Sequence, residues 1–494
     1  MIGPPLPVLS RYPGNLLFGG GETPVGPTAR GRSPVETGSR TEGMEQAPRF
    51  HIITQGCQMN VRDSEAMAGL LAGMGYRATG DPAEADVILI NACTVREGAD
   101  DKAYGRLGEL RALKRLRPGL ILGVAGCLVQ KDRERVRERA PYLDLVFGVH
   151  NIHRLPELLR QAREGCQPVY EVWDRAERDR PLPSLPALRG GAVRGFVNII
   201  HGCNKFCTFC IVPYVRGRER SVQPETVVAE VAGLAAQGYR EITLLGQNVD
   251  SYGHDLSPRR DLAGLLRLVH EVEGIDRIRF TTSHPRDMTL TLIRTVAELP
   301  KVCEQIHLPV QAGDDQVLRR MHRAYTTGQY RATVDAIREA MPASSVTTDV
   351  IVGFPGETDD EFERTIRLVN EIRFDVVNTA IYSPREGTPA AGYPDQVPEE
   401  TKRRRLHALN LLVARMAAEV NQRLVGTHQE VLVEGPGTRG GVVGRTRTNK
   451  IVTMDGDQGL TGRTVPVEIT SAGSWVLRGR LAAGVFPAGA HPRR

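Results

Sequence analysis

Residues 201–210 read HGCNKFCTFC and place Cys203, Cys207 and Cys210 directly after the apolar run FVNIIHG. The run predicts a strand, so the three thiols fall in the loop at its C-terminal end, where parallel β/α architectures build their sites. Close-set thiolates are soft ligands that select zinc or an iron–sulfur cluster. A structural zinc normally takes four protein ligands, whereas a 4Fe–4S cube held by three cysteines keeps one iron open. The competing readings are a zinc site completed by His201 and a chance grouping of core cysteines. The tight spacing favours the cluster.

The chain has 494 residues, enough for about three domains at roughly 150 residues each. Apolar residues make up 40% and charged residues 25%, an ordinary globular balance. The longest apolar run, VILINACTV (87–95), is far shorter than the ~20 residues of a spanning helix. Arg11 and Pro13 interrupt any secretory core. Without an export signal the eight cysteines are expected to stay reduced in the cytoplasm, which favours ligand or core roles over disulfides. A net charge of +6 permits a polyanionic partner without demonstrating one.

Composition divides the chain. Residues 1–45 are rich in Gly, Pro, Ser, Thr and Arg and read as a disordered leader, with Met44 a possible start. Residues 46–170 hold three apolar runs alternating with helical patterns, the mark of a parallel α/β domain. The Pro-rich, charged stretch 171–191 reads as a linker. Over 192–420 six further strand candidates alternate with amphipathic helices. Six units are too few for a closed eight-stranded barrel and predict an open, partial (β/α)6 barrel. Residues 423–485 turn to five short alternating strands with Gly-rich turns, as in a small all-β barrel. The fold class is therefore α/β with a terminal β barrel.

Cys57, Cys93 and Cys127 are far apart in sequence, and free cysteines are often simply buried. Each, however, ends an apolar run (FHIITQG, VILINA, LILGVAG), so a parallel sheet would bring all three to one edge. A second cluster with an open iron fits that placement. Cys166 and Cys303 have no such company and read as ordinary thiols.

The C-x3-C-x2-C loop after the first strand of a partial barrel resembles the radical S-adenosylmethionine (SAM) superfamily. Two three-cysteine sets followed by a small barrel resemble its methylthiotransferases over residues 50–482. The words GCQMN (56–60), REGADDKAYGRLGEL (96–110), GCNKFCTFCIVPYVRGRERS (202–221), LLGQNVDSYG (244–253), FTTSHP (280–285), HLPVQAG (307–313) and IVGFPGET (351–358) are most similar to members acting on tRNA. Ala92 and Ala312-Gly-Asp depart from the usual pattern at no ligand position, and the leader matches nothing in it. The resemblance implies two 4Fe–4S clusters. One, on Cys203, Cys207 and Cys210, would cleave SAM to a radical that takes hydrogen from carbon 2 of N6-(dimethylallyl)adenosine beside the tRNA anticodon. The other, on Cys57, Cys93 and Cys127, would supply sulfur, and a further SAM the methyl group. Alternatives within the same class are a threonylcarbamoyl-adenosine in tRNA or a ribosomal protein as substrate; outside it stands a non-catalytic protein with structural zinc.

Gln247, Ser283, Gln311 and Gly353, near strand ends, are candidate SAM contacts, with local turn roles as the alternative. Arg216, Arg218 and Arg220 could meet the SAM carboxylate or RNA phosphate, or form a solvated charge run. The terminal barrel resembles the TRAM RNA-binding module. Its Arg445, Arg447, Lys450, Arg463, Arg478 and Arg480 suit phosphate contacts, while stacking aromatics are nearly absent apart from Trp475. The implied partners are the anticodon stem-loop of tRNA and an electron donor such as flavodoxin or ferredoxin. A monomer with no membrane partner is expected.

Overall fold

A computed structural model describes residues 47–94, 98–165, 167–173, 185–191, 193–438 and 440–482. The expected leader and Cys166 lie outside the described residues. The chain forms two compact units, one built on the N-terminal segment and one on the remainder.

The N-terminal unit is a six-stranded sheet in the order β2-β1-β3-β4-β5-β6, parallel at every pairing. Its strands are β1 (Arg49–Thr54), β2 (Arg77–Ala78), β3 (Val87–Ala92), β4 (Ile121–Gly126), β5 (Leu145–Phe147) and β6 (Val169–Glu171). Side chains alternate between two cores. Val87 and Leu89 face one with Phe50, Met67 and Leu155, while Ile88 and Ile90 face the other with Leu107 and Val136. Helices cover both faces, which is why β3 and β4 are apolar throughout rather than alternating.

In the second unit six parallel strands line up in chain order: β7 (Arg194–Asn198), β10 (Glu241–Leu245), β11 (Arg277–Phe280), β12 (Gln305–His307), β13 (Ser345–Val352) and β14 (Val376–Ile381). A parallel bridge between Ile278 and Val302 joins the two three-stranded halves. The result is the expected open six-unit barrel. The run FVNIIHG does not form one strand: the chain breaks at Ile199, and β8 (Ile200–His201) pairs antiparallel with β9 (Arg220–Ser221), clasping the base of the cysteine loop.

Local chemistry sets the helix boundaries. The helix Pro224–Ala236 begins with proline at its first turn and buries Val227, Val231 and Leu234. The helix Asp359–Ile372 starts from a capping box of Thr358 and Glu361, each reaching back to the other's backbone N–H.

Strands β15 (His428–Pro436), β16 (Val442–Thr446), β17 (Ile451–Met454), β18 (Thr464–Ala472) and β19 (Val476–Leu481) close into a barrel. Closure runs through a parallel β17–β19 pair around Val431, Val433, Val452, Val467 and Leu477. This barrel docks on the N-terminal ends of the parallel strands. Arg277 donates to Arg445 O at 2.8 Å and to the Glu430 carboxylate at 2.8 Å. Arg279 donates to Thr446 O at 2.9 Å and Arg447 O at 2.6 Å.

That docking corrects the expectation for three basic residues. Arg447 pairs with Glu304 at 2.8 Å, Lys450 with Asp375 at 2.7 Å and Arg445 with Glu434 at 3.0 Å. Arg447 and Lys450 tie the terminal barrel to the parallel strands, while Arg445 pairs within the terminal barrel, with the same Glu434 that Arg194 reaches at 2.9 Å, so all three are engaged inside the protein. Arg463 and Arg478 are exposed, and Arg480 is exposed but paired with Glu468.

Candidate functional site

In the second unit the cysteine loop leaves β8 through Gly202, whose φ of +77° lies in the left-handed region. A Cβ there would stand 2.1 Å from Arg218 O, so the loop closes on its return strand only because this residue is glycine. Gly202 N–H donates to Gln247 Oε1 at 2.5 Å, which ties the loop to the end of β10. Thr208 fastens the far side, its N–H donating to Met321 O at 3.1 Å and its hydroxyl to Arg320 O at 2.8 Å. Cys207 is buried, while Cys203 and Cys210 are partly accessible.

Burial pushes the Cys203 thiol up to about 12 and raises that of Cys210 as well, the latter also because Cys207 and Cys203 stand beside it. Thiols so placed ionise when a cationic centre binds them. Among the described residues no three His, Cys, Asp or Glu side chains converge closely enough to hold a metal ion. The backbone nevertheless gathers three soft donors in a glycine-dependent loop, and this donor set fits an iron–sulfur cluster.

The sequence-predicted SAM contacts divide. Gln247 Oε1 holds the loop, and its buried Nε2 has no hydrogen-bond partner among the described residues. Asn198 Oδ1, at the end of β7, is buried and unpartnered in the same way. A polar adenosyl ligand would satisfy both. Ser283 is buried and donates to Asp250 at 2.9 Å. Gln311 is buried with φ +70°. Gly353 is packed by its own surroundings: a Cβ there would meet Lys402 Cγ at 2.3 Å, and its N–H donates to Glu357 at 2.6 Å. Its loop is clamped by Arg405, which pairs with Glu357 at 2.9 Å.

Of the three arginines after the loop, Arg216 is buried, Arg220 lies in β9, and Arg218 is exposed with its guanidinium 5.6 Å above the centroid of the Phe206 ring. Cys303 is buried.

Sequence reading missed Arg323, Lys205, His284 and Asp250. A cavity of about 380 Å³ opens beside the cysteine loop, lined by Lys205, His254, Arg259, Arg286, His322 and Arg323 among others. Lys205 pairs with Asp287 at 2.6 Å. Burial pushes Asp250 up to about 7 and His284 down to about 2, so His284 is neutral. Backbone strain marks the same region. Of the seven non-glycine residues with positive φ among the described residues, Phe206, Thr282, Gln311, His322 and Ala324 lie in the cysteine loop or in segments beyond β11 and β12. Apart from His322, none is a residue type enriched in such a conformation, so the sequence gives little sign of them.

In the N-terminal unit Cys57, Cys93 and Cys127 follow β1, β3 and β4, three neighbouring strands. Ala92 pairs with Gly126, so Cys93 and Cys127 leave the sheet side by side. Cys93 Sγ lies 3.1 Å from the Cβ position of Gly56, the neighbour of Cys57. Beneath them Asn91 donates to Asn60 O at 2.8 Å and Ser64 at 3.0 Å, and Cys57 Sγ is 3.6 Å from Asn60 Oδ1.

An open six-stranded barrel with three cysteines beyond its first strand defines a radical SAM protein, and the family description "Radical SAM superfamily" matches residues 197–369. "Uncharacterized protein family UPF0004" matches 49–148 and "TRAM domain" matches 422–482. The chain is 48% identical over 438 residues to the tRNA-2-methylthio-N(6)-dimethylallyladenosine synthase of Pelotomaculum thermopropionicum, covering 88% of this chain and 98% of that one. The enzyme of the same name from Symbiobacterium thermophilum is 49% identical over 456 residues, covering 90% and 97%. This chain belongs to the family of tRNA-2-methylthio-N(6)-dimethylallyladenosine synthases. Among solved structures, the radical SAM methyltransferase TsrM from Kitasatospora setae, with cobalamin and a [4Fe-4S] cluster bound, shares the fold. Its TM-score is 0.52 at 14% identity, covering 78% of this chain and 77% of that one.

Proposed function

We propose that the protein converts N6-(dimethylallyl)adenosine beside the anticodon of tRNA to its 2-methylthio derivative. In this reading Cys203, Cys207 and Cys210 hold one 4Fe–4S cluster, and Cys57, Cys93 and Cys127 hold a second, the sulfur-supplying one. The observation that carries it is the pair of cysteine triplets, each at the C-terminal edge of parallel strands, in a chain of this family.

When bound, the first cluster and SAM supply one-electron cleavage of the sulfonium, whose product draws hydrogen from carbon; a second SAM serves as methyl donor. The protein's own groups bind and orient. Gln247 holds the loop through Gly202 and offers Nε2 to the ligand. Buried side chains around Ser283 and Asp250 keep water from the reacting atoms. The working unit is a monomer in the cytoplasm, reduced by a flavodoxin or ferredoxin type of carrier.

The cations around the cavity suit tRNA phosphates. Replacing Arg259 and Arg286 together by alanine is expected to raise KM for tRNA and to lower the slope of log affinity against log salt by about 1 per arginine. Cleavage of SAM in the absence of tRNA should stay the same. An unchanged salt slope in filter-binding titrations would remove both residues from the RNA path.

The reaction itself is tested by mass spectrometry of nucleosides from dimethylallyl-bearing tRNA, incubated anaerobically with the reconstituted protein, SAM and dithionite. The 2-methylthio nucleoside is the expected product. Formation of 5′-deoxyadenosine without it would keep the radical chemistry and refute the acceptor.

A further inference from the structure

Arg323 is buried, yet it projects from a short turn between helices whose flanking residues, His322 and Ala324, both hold left-handed backbone at φ +57° and +50°. Such strain persists only where surrounding contacts impose it. The guanidinium is fixed on three sides. Nε donates to the Tyr325 hydroxyl at 2.9 Å, Nη2 to Pro309 O at 2.9 Å, and Nη1 to Cys207 Sγ at 3.3 Å. Tyr325 is anchored in turn, its hydroxyl donating to Val310 O at 2.8 Å. The two segments are also stitched together by the Phe206 carbonyl, 3.2 Å from His322 Nδ1.

We propose that Arg323 is a positioning residue that holds Cys207 in place and raises the reduction potential of the cluster carried by Cys203, Cys207 and Cys210. The inference rests on that ligand assignment. Cys203 and Cys210 receive backbone N–H groups, from Lys205 and Val212, so Cys207 is the sulfur given a cationic donor. A fixed positive charge donating to a ligand sulfur favours the state holding one more electron. Burial strengthens the effect by excluding water. The electron itself comes from an external one-electron donor.

The test uses the full chain carrying Cys57→Ala, Cys93→Ala and Cys127→Ala, so that one cluster remains, titrated with dithionite and followed by electron paramagnetic resonance. With Arg323→Gln the midpoint potential is expected to fall at unchanged iron and sulfide content. Arg323→Lys, which keeps the charge, should lie between Arg323→Gln and the parent. Tyr325→Phe should shift the potential in the same direction by less. A potential in Arg323→Gln equal to the parent's overturns the inference. If Arg323→Gln takes up no iron while Arg323→Lys does, rescue by charge supports it; if neither does with helical content intact, Arg323 is only a strut and the inference fails. A parent without iron refutes the ligand assignment itself, and the inference with it.

Discussion

Cys207→Ala is expected to abolish reductive cleavage of SAM, whereas Cys93→Ala is expected to leave cleavage intact and stop methylthiolation. The split is expected because the two residues belong to separate compact units, each with its own triplet of thiols at strand ends. Cys207 is the buried centre of its loop and the sulfur that Arg323 contacts, so its loss would remove a ligand of the proposed cluster and leave a buried guanidinium short of a partner. Cys93 leaves β3 beside Cys127, within the N-terminal unit. Gly126→Ala should give the Cys93→Ala phenotype by geometry alone. Its φ is +104°, and a Cβ would stand 2.5 Å from Ala92 O and from Asn91 Oδ1, so β3 and β4 could not release their cysteines side by side. Quantifying 5′-deoxyadenosine and the methylthio nucleoside in the same reactions separates the outcomes. A Cys93→Ala protein that still methylthiolates tRNA would refute the second-cluster role.

Much of this architecture is legible in the sequence because burial on both sheet faces writes long apolar runs, and each run ends at a chemically marked residue. VILINA ends at Cys93 and LILGVAG at Cys127 because those strands are covered by helices on both sides. The edge strands β2 and β6 are two and three residues long and carry no such pattern, so the sheet is wider than its apolar runs suggest. Charge was the least readable feature. Arg445, Arg447 and Lys450 look like a phosphate-binding face in one dimension, but their partners Glu434, Glu304 and Asp375 are brought to them only by folding. Arg323 is hidden for a related reason. What distinguishes it from a surface arginine is its burial and the left-handed turn on either side, and Ala324 gives no sign of that turn. At Gly353 the glycine answers to a positive φ of +71° and to Lys402 packed against it, a contact that only folding creates.

The same buried charges make the junction between the barrels the place where one substitution should harm stability most. Glu241, at the start of β10, is fully buried and pairs with Arg194 and Arg279 at 3.0 Å each, while Arg277 and Arg445 are buried nearby. Burial alone would raise its pKa, but Arg279, Arg194 and Arg277 outweigh that and hold the carboxyl below its usual range. Glu241→Gln keeps the shape and removes the charge, leaving Arg279 buried with no carboxylate in place of Glu241. Breaking a buried pair in this way costs roughly 3–5 kcal/mol. At about 2 °C per kcal/mol for a large domain, the unfolding midpoint of this unit should fall by roughly 5–10 °C. Because the folded-state pKa is depressed, the contribution of Glu241 is fully present above about pH 4.3 and is lost as pH falls through the folded-state value. The difference between wild type and variant should therefore be constant from neutral pH down to about pH 5 and shrink below it. Differential scanning calorimetry across that range tests both statements. A midpoint shift under about 2 °C at pH 7, or one that grows on acidification, would mean that the arginines find other partners and that Glu241 does not hold the junction.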